Sequence, residues 1–138
     1  MAALVLDSSA AIASVLPDEE HGPAAAHIIR RVARDGAIVP AIWPLEVVNV
    51  LLKAERRRRL TPQRCRDAIA GIQALPVSVE APPDWAELEA TARLARKHHM
   101  SLYDASYVRL AVVRGLPLAT FDRPMRGVAQ AERIPLLD

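Results

Sequence analysis

Apolar residues in this chain follow two rhythms. Short unbroken runs at positions 3–6, 38–39, 77–79, 118–121 and 134–136 read as strands buried on both faces. Between them lie longer segments whose apolar positions recur every three or four residues, the signature of helices with one buried face. The first spans about 8–16 and ends at Pro17. The second opens at Pro23, carries Ile28, Ile29 and Val32 on one side, and is closed by Gly36. Pro44 opens a third, about 45–58, rich in Val and Leu. Thr61-Pro62 predicts an N-cap followed by proline at the first helical position, and Cys65, Ala68, Ile69, Ile72 and Leu75 follow at helical spacing. Pro82-Pro83-Asp84 starts a helix carrying Trp85, Leu88 and Ala92. Ser101-Leu102-Tyr103-Asp104 opens another that Gly115 closes, and 123–130 form a last short one.

Strands that alternate with helices in this way predict an α/β fold, a short central parallel sheet flanked by helices on both faces. A length of 138 residues suits one domain spanning 1–138. The hydrophobic share of 51% is ample for its core, and an aromatic share of 4% means that core is built from Ala, Val, Leu and Ile. Cys65 has no partner for an intrachain disulfide and no Cys/His zinc pattern accompanies it, so a reducing cytoplasmic setting is expected. The initial apolar run is five residues long without a basic stretch before it, which reads as a strand and not a signal peptide. The longest uncharged stretch, 36–45, is too short to span a bilayer and contains Pro40 and Pro44.

Four acids fall at the boundaries of these elements. Asp7 and Asp122 close apolar strands, while Glu46 and Asp104 sit in the first turns of apolar helices. Taken singly, each has a structural reading: Asp7 and Asp122 as N-caps, Glu46 as a favourable charge at a helix start, and Asp104 as the last position of a capping box begun by Ser101. Taken together, all four lie on the edge of a parallel sheet where strands finish and helices begin, the edge on which such folds build their sites. Carboxylates gathered there repel one another unless a cation joins them. Hard oxygen ligands without Cys or His suit Mg²⁺ or Mn²⁺ better than zinc. Ser8 and Ser9 could cap the first helix and free Asp7 to face the site, and Asn49 lies one turn beyond Glu46.

Four segments resemble, in order, the motifs of PIN-domain ribonucleases. They are Val5-Leu6-Asp7-Ser8-Ser9, Pro44-Leu45-Glu46-Val47-Val48-Asn49-Val50-Leu51, Leu102-Tyr103-Asp104-Ala105-Ser106-Tyr107 and Ala119-Thr120-Phe121-Asp122. Pro17-Asp18-Glu19-Glu20 and Arg57-Arg58-Arg59-Leu60-Thr61 look like the VapC-type toxin branch of that family. The resemblance runs from about residue 4 to 136 and implies a PIN-like α/β/α sandwich. It also implies a metal-dependent endoribonuclease, the toxin of a toxin–antitoxin pair, with RNA as substrate, a cognate protein antitoxin and a homodimeric assembly. Carried over residue by residue, Asp7, Glu46, Asp104 and Asp122 are the acidic metal-binding set. Thr120 is the hydroxyl beside the last acid, and Ser8, Ser9 and Asn49 are polar support. The chain departs from many relatives in having Arg123-Pro124 where a further acid follows the fourth. The chemistry expected is phosphodiester hydrolysis by a metal-activated water, leaving 5′-phosphate and 3′-hydroxyl ends.

Other features have plainer readings. The net charge of +2 comes with only two lysines, Lys53 and Lys97, so the basic residues are almost all arginine. A planar guanidinium suits phosphate, and a codon bias toward Arg and Ala would give the same excess. Arg56 to Arg59 end the third helix, where positive charge favours the helix dipole, with an RNA or antitoxin contact as the alternative. His98-His99 suit a surface or C-capping role, and Trp43 and Trp85 core or dimer packing. A receiver domain would need paired acids after its first strand and a lysine after its last. A DxD phosphatase would need Asp where Ser9 stands. A nuclease of RNA or DNA processing, or a silent RNA- or protein-binding module of the same fold, remains as the alternative.

Overall fold

In the computed structural model, which describes residues 2–16 and 21–138, four strands and seven helices alternate along the described chain. Strand β1 (Val5–Leu6) leads through helices α1 (Ser8–Ala13) and α2 (Gly22–Asp35) to β2 (Ala37–Val39). Helices α3 (Trp43–Arg56) and α4 (Pro62–Gln73) lead to β3 (Val77–Val79). Helices α5 (Trp85–His98) and α6 (Leu102–Arg114) lead to β4 (Leu118–Ala119), and α7 (Arg123–Ala131) follows.

The sheet order is β3-β2-β1-β4 and every pairing is parallel. From β1 the chain steps outward to β2 and β3, then returns across the sheet to place β4 on the far side of β1. Right-handed crossovers make that reversal put the later helices on the opposite face. The packing agrees: α1 contacts α2 and α3, and α3 contacts α4, while α6 contacts both α5 and α7. The seam between β1 and β4 is therefore the topological switch point, where the two layers diverge at the carboxyl ends of the strands.

Local sequence explains most boundaries. The Thr61 hydroxyl accepts the Arg64 N–H, and the Asp84 carboxylate accepts the Glu87 N–H, so both act as the N-caps their spacing predicts. Gly115 ends α6 with φ of +63°, a left-handed conformation that suits glycine. Strands are short because each is flanked by proline or by a site residue, and the core compensates with small aliphatic side chains. Leu4, Val5, Leu6, Val39, Leu118 and Ala119 are fully buried between the layers.

Three expectations need correction. The run 134–136 does not form a strand: it adds only one parallel bridge, Leu118 to Leu136, beside β4. Arg133, in a left-handed conformation, precedes it and Pro135 lies within it, which leaves too little regular backbone for a ladder. The first helix stops at Ala13, short of residue 16. Trp85 is 86% exposed, which removes the core from its two readings and leaves dimer packing, whereas Trp43 is buried. Cys65 is buried filler. Pro17, Asp18, Glu19 and Glu20 lie outside the described residues. Among the described residues no helix is long and apolar enough to cross a membrane.

Candidate active site

The four acids reach the switch point from four different elements. Asp7 directly follows β1, and Asp122 stands at the head of α7, three residues after β4 ends. Glu46 comes from the first turn of α3 in one layer, and Asp104 from the first turn of α6 in the other. The sheet end thus receives two acids from its own strands and one from each covering layer.

Asp7 is the centre of this arrangement. It is 4% exposed, and although it occupies the N-cap position of α1 its side chain makes no capping bond. The carboxylate is instead held from across the seam. Thr120 Oγ1 donates to Asp7 Oδ2 at 2.7 Å, and Ser9 Oγ donates to the same oxygen at 2.6 Å. Both hydroxyls also accept: the Phe121 N–H donates to Ser9 Oγ at 3.0 Å, and the Asp122 N–H donates to Thr120 Oγ1 at 3.1 Å. Ser8 Oγ reaches Asp7 Oδ1 only at 3.5 Å. A backbone bond from the Asp7 N–H to the Ala119 carbonyl, 2.9 Å, completes the link between the two strand ends.

The other acids are anchored separately. Asp122 Oδ2 accepts the Met125 N–H at 2.9 Å, so its N-cap role is real and occupies one of its two oxygens. Asp104 is the third residue after the Ser101 cap, whose hydroxyl accepts the Asp104 N–H at 3.0 Å. Among the described residues the Ser101 N–H does not reach the Asp104 carboxylate, so the capping box is half made, and the carboxylate interacts with the Ser101 hydroxyl instead. Glu46 Oε1 accepts a short hydrogen bond from the hydroxyl of Tyr107. Asn49, one turn beyond Glu46 on α3, is exposed and has no hydrogen bond to any described residue. Tyr107 had no role in the sequence reading. Its position three residues after Asp104, on the same face of α6, was the available signal.

Electrostatics place the acids in one neighbourhood. Burial pushes the Asp7 carboxyl above its ordinary value; the hydrogen bonds from Ser9 and Thr120 oppose the shift, and the charge of Asp122 adds to it. Glu46 is raised by burial and by the charges of Asp7 and Asp104, against the pull of Tyr107. Asp104 is raised by burial and by the charges of Asp122 and Asp7. Burial and the Glu46 carboxylate push the Tyr107 phenol upward as well, so it remains a donor throughout the neutral range. Among the described residues, no three His, Cys, Asp or Glu side chains stand close enough as placed to hold a metal ion. The acids share a field, and their side chains are turned toward separate anchors.

A cavity of about 760 Å³ is bounded by the starts of α3 and α6 and by α5, and none of the four acids lines it. Leu45 and Tyr103, the residues immediately before Glu46 and Asp104, line it and are 69% and 58% exposed. Arg109 and Arg114 line it too, and Arg114 pairs with Glu80.

Comparison with known proteins agrees with this architecture. A family model described as "PIN domain" matches residues 4–131. The crystal structure of PAE2754 from Pyrobaculum aerophilum superposes with a TM-score of 0.72 at 23% identity, covering 92% of this chain and 84% of that one. At that identity the likeness shows the fold. Comparison with curated proteins finds no match.

The raised carboxyl of Asp7 generates a prediction with a definite sign. A carboxyl raised in the folded state stabilises the fold when protonated, and that contribution disappears as pH rises through its folded value. At pH 7 without metal, ionised Asp7 therefore costs stability. Asp7→Asn removes the charge and keeps an acceptor for Ser9 and Thr120. The variant is expected to melt above the wild type in EDTA at about pH 7, with the gap closing toward about pH 4. Thermal melts across that range check it; a variant that melts lower at neutral pH contradicts it.

Proposed function

The chain belongs to the PIN domain family, and from that premise we propose that it is a metal-dependent endoribonuclease, the toxin of a type II toxin–antitoxin pair. PIN domains are generally metal-dependent nucleases acting on nucleic acid. The observation that carries the reading is the convergence of Asp7, Glu46, Asp104 and Asp122 from four elements onto one electrostatic neighbourhood. Thr120 and Ser9 act as the hydroxyls that fix the most buried of the four.

The donor set fits a hard divalent ion, Mg²⁺ or Mn²⁺. The four acids supply only carboxylate oxygens, and at least three of them are raised by burial and mutual repulsion, a cost that a cation relieves. As placed the four do not form a coordination sphere, and Glu46 and Asp122 each keep one oxygen without a hydrogen bond to the described residues that can turn toward an ion. When bound, such an ion supplies Lewis acidity that activates water and offsets charge on the scissile phosphate.

The chain's own residues set the remaining chemistry. Asp7 is kept in one rotamer by two hydroxyls, so the buried acid holds its place while substrate enters. Water as nucleophile leaves 5′-phosphate and 3′-hydroxyl ends without use of the RNA 2′-hydroxyl. Preference for RNA then comes from strand shape and contacts.

The toxin assignment rests on the resemblance of two stretches, Pro17-Asp18-Glu19-Glu20, which lies outside the described residues, and Arg57-Arg58-Arg59-Leu60-Thr61, which forms the turn between α3 and α4. A cognate protein antitoxin, a cytoplasmic setting and a homodimer go with it. The dimer has support of its own: Leu45, Leu102, Tyr103 and Val113 are exposed apolar side chains around one cavity, a patch suited to a second copy.

Purified protein is expected to cut a mixed RNA pool with Mg²⁺ or Mn²⁺, to leave 5′-phosphates and to be silent in EDTA. Asp7→Asn and Asp104→Asn should each lower the rate by at least about 100-fold. Absence of cleavage under every condition would favour a silent RNA- or protein-binding module; cuts that survive both substitutions would refute the assigned site. Light scattering after size exclusion should give a dimer, and Leu45→Glu should give a folded monomer. A monomeric wild type would remove the dimer from the account.

A further inference from the structure

Tyr107 is a buried polar residue that nothing in the acid set by itself requires. Its side chain has no exposed surface and lies among the aliphatic core residues of α6, Val108 and Ala111. A tyrosine hydroxyl in such a place costs stability unless it is satisfied. It is satisfied by one acceptor, Oε1 of Glu46, sixty-one positions away in sequence and in the opposite helical layer. Ser8, the neighbour of Asp7, also lies against the same hydroxyl. One helix, α6, thus contributes an acid, Asp104, and one turn later the donor that holds the acid of α3.

The consequence for Glu46 is geometric. A free glutamate at a helix start has three side-chain torsions to fix before it can hold anything. Here Oε1 is engaged and Oε2 has no hydrogen bond to a described residue, so the side chain is fixed with one oxygen in reserve. Asp122 follows the same arrangement, with Oδ2 tied to the Met125 N–H. Partners of this kind orient ligands and typically alter metal affinity or activity by about 10- to 100-fold when removed.

We infer that Tyr107 is the positioning residue for Glu46: its hydroxyl ties Oε1 across the two helical layers and leaves Oε2 as the oxygen the glutamate offers to a divalent cation. The inference rests on the proposed cation site and adds to it a second layer of control. Tyr107 touches neither substrate nor cation and acts only through Glu46.

The test is calorimetric titration of Mn²⁺ into wild type and Tyr107→Phe, with melting in EDTA recorded for both. Phenylalanine keeps the ring and loses only the hydroxyl. The expected result is a loss of Mn²⁺ affinity of about 10-fold or more, with melting in EDTA little changed. In cleavage assays kcat falls while KM for RNA holds. Unchanged affinity with lowered melting would make Tyr107 core filler and overturn the inference. A measurement on the wild type alone serves even if the variant does not fold. The hydroxyl proton of Tyr107 is shielded from exchange, and its proton NMR resonance should move when Mg²⁺ is added; a fixed resonance under saturating Mg²⁺ overturns the inference. A wild type that binds neither cation overturns the proposed cation site, and the inference with it. That failure is separable from one in which both proteins bind Mn²⁺ equally.

Discussion

The hydrogen bond from Thr120 to Asp7 ties together two strand ends that are 113 positions apart in sequence. Without it the most buried acid among the described residues would lose its direct partner from across the seam, and Ser9 alone would link the two strand ends through side chains. The same threonine oxygen accepts the Asp122 N–H, which fixes where α7 begins, and the Ser9 hydroxyl accepts the Phe121 N–H. A small polar network therefore sets both the position of the central acid and the path of the chain past it. Fully satisfied networks of this kind are rigid, and a rigid seam is what a site assembled from distant segments needs.

Around that seam the fold distributes like charges deliberately. A doubly wound sheet brings helix starts from both layers to the same strand ends, which accounts for Glu46 and Asp104 both feeling the charge of Asp7. Each acid that is tied uses a donor from its own surroundings: Ser9 and Thr120, Tyr107, or the Met125 N–H. These bonds offset part of the repulsion in the absence of any cation. They also explain how four carboxylates coexist without drawing together into a coordination sphere.

Much of this could be read from the residues alone. Proline and glycine punctuation located the helices to within a few positions, because capping and helix termination are local events decided by a few side chains. The acids stood out because strand ends and first turns share one edge of a parallel sheet, whatever the rest of the sequence does. Less accessible was anything decided by tertiary contact. Residues 134–136 carry a strand's apolar pattern, yet a bridge is all that fits beside β4. Trp85 reads equally as core or dimer packing from its sequence, and only its exposure in the fold removes the first. The hydroxyl of Tyr107 is the clearest case. In sequence it is one more apolar-face position of α6, and only the approach of α3 gives it a partner.

The central claim is that Asp7, Glu46, Asp104 and Asp122 form one cation centre at the β1–β4 seam. Crystals grown with Mn²⁺ and measured for anomalous scattering test it most directly. The account predicts a strong anomalous peak at the seam, with oxygens from at least three of the four carboxylates turned toward it and Tyr107 still bonded to Glu46. A structure with saturating Mn²⁺, no peak at the seam and the four carboxylates resting on their present anchors would contradict it.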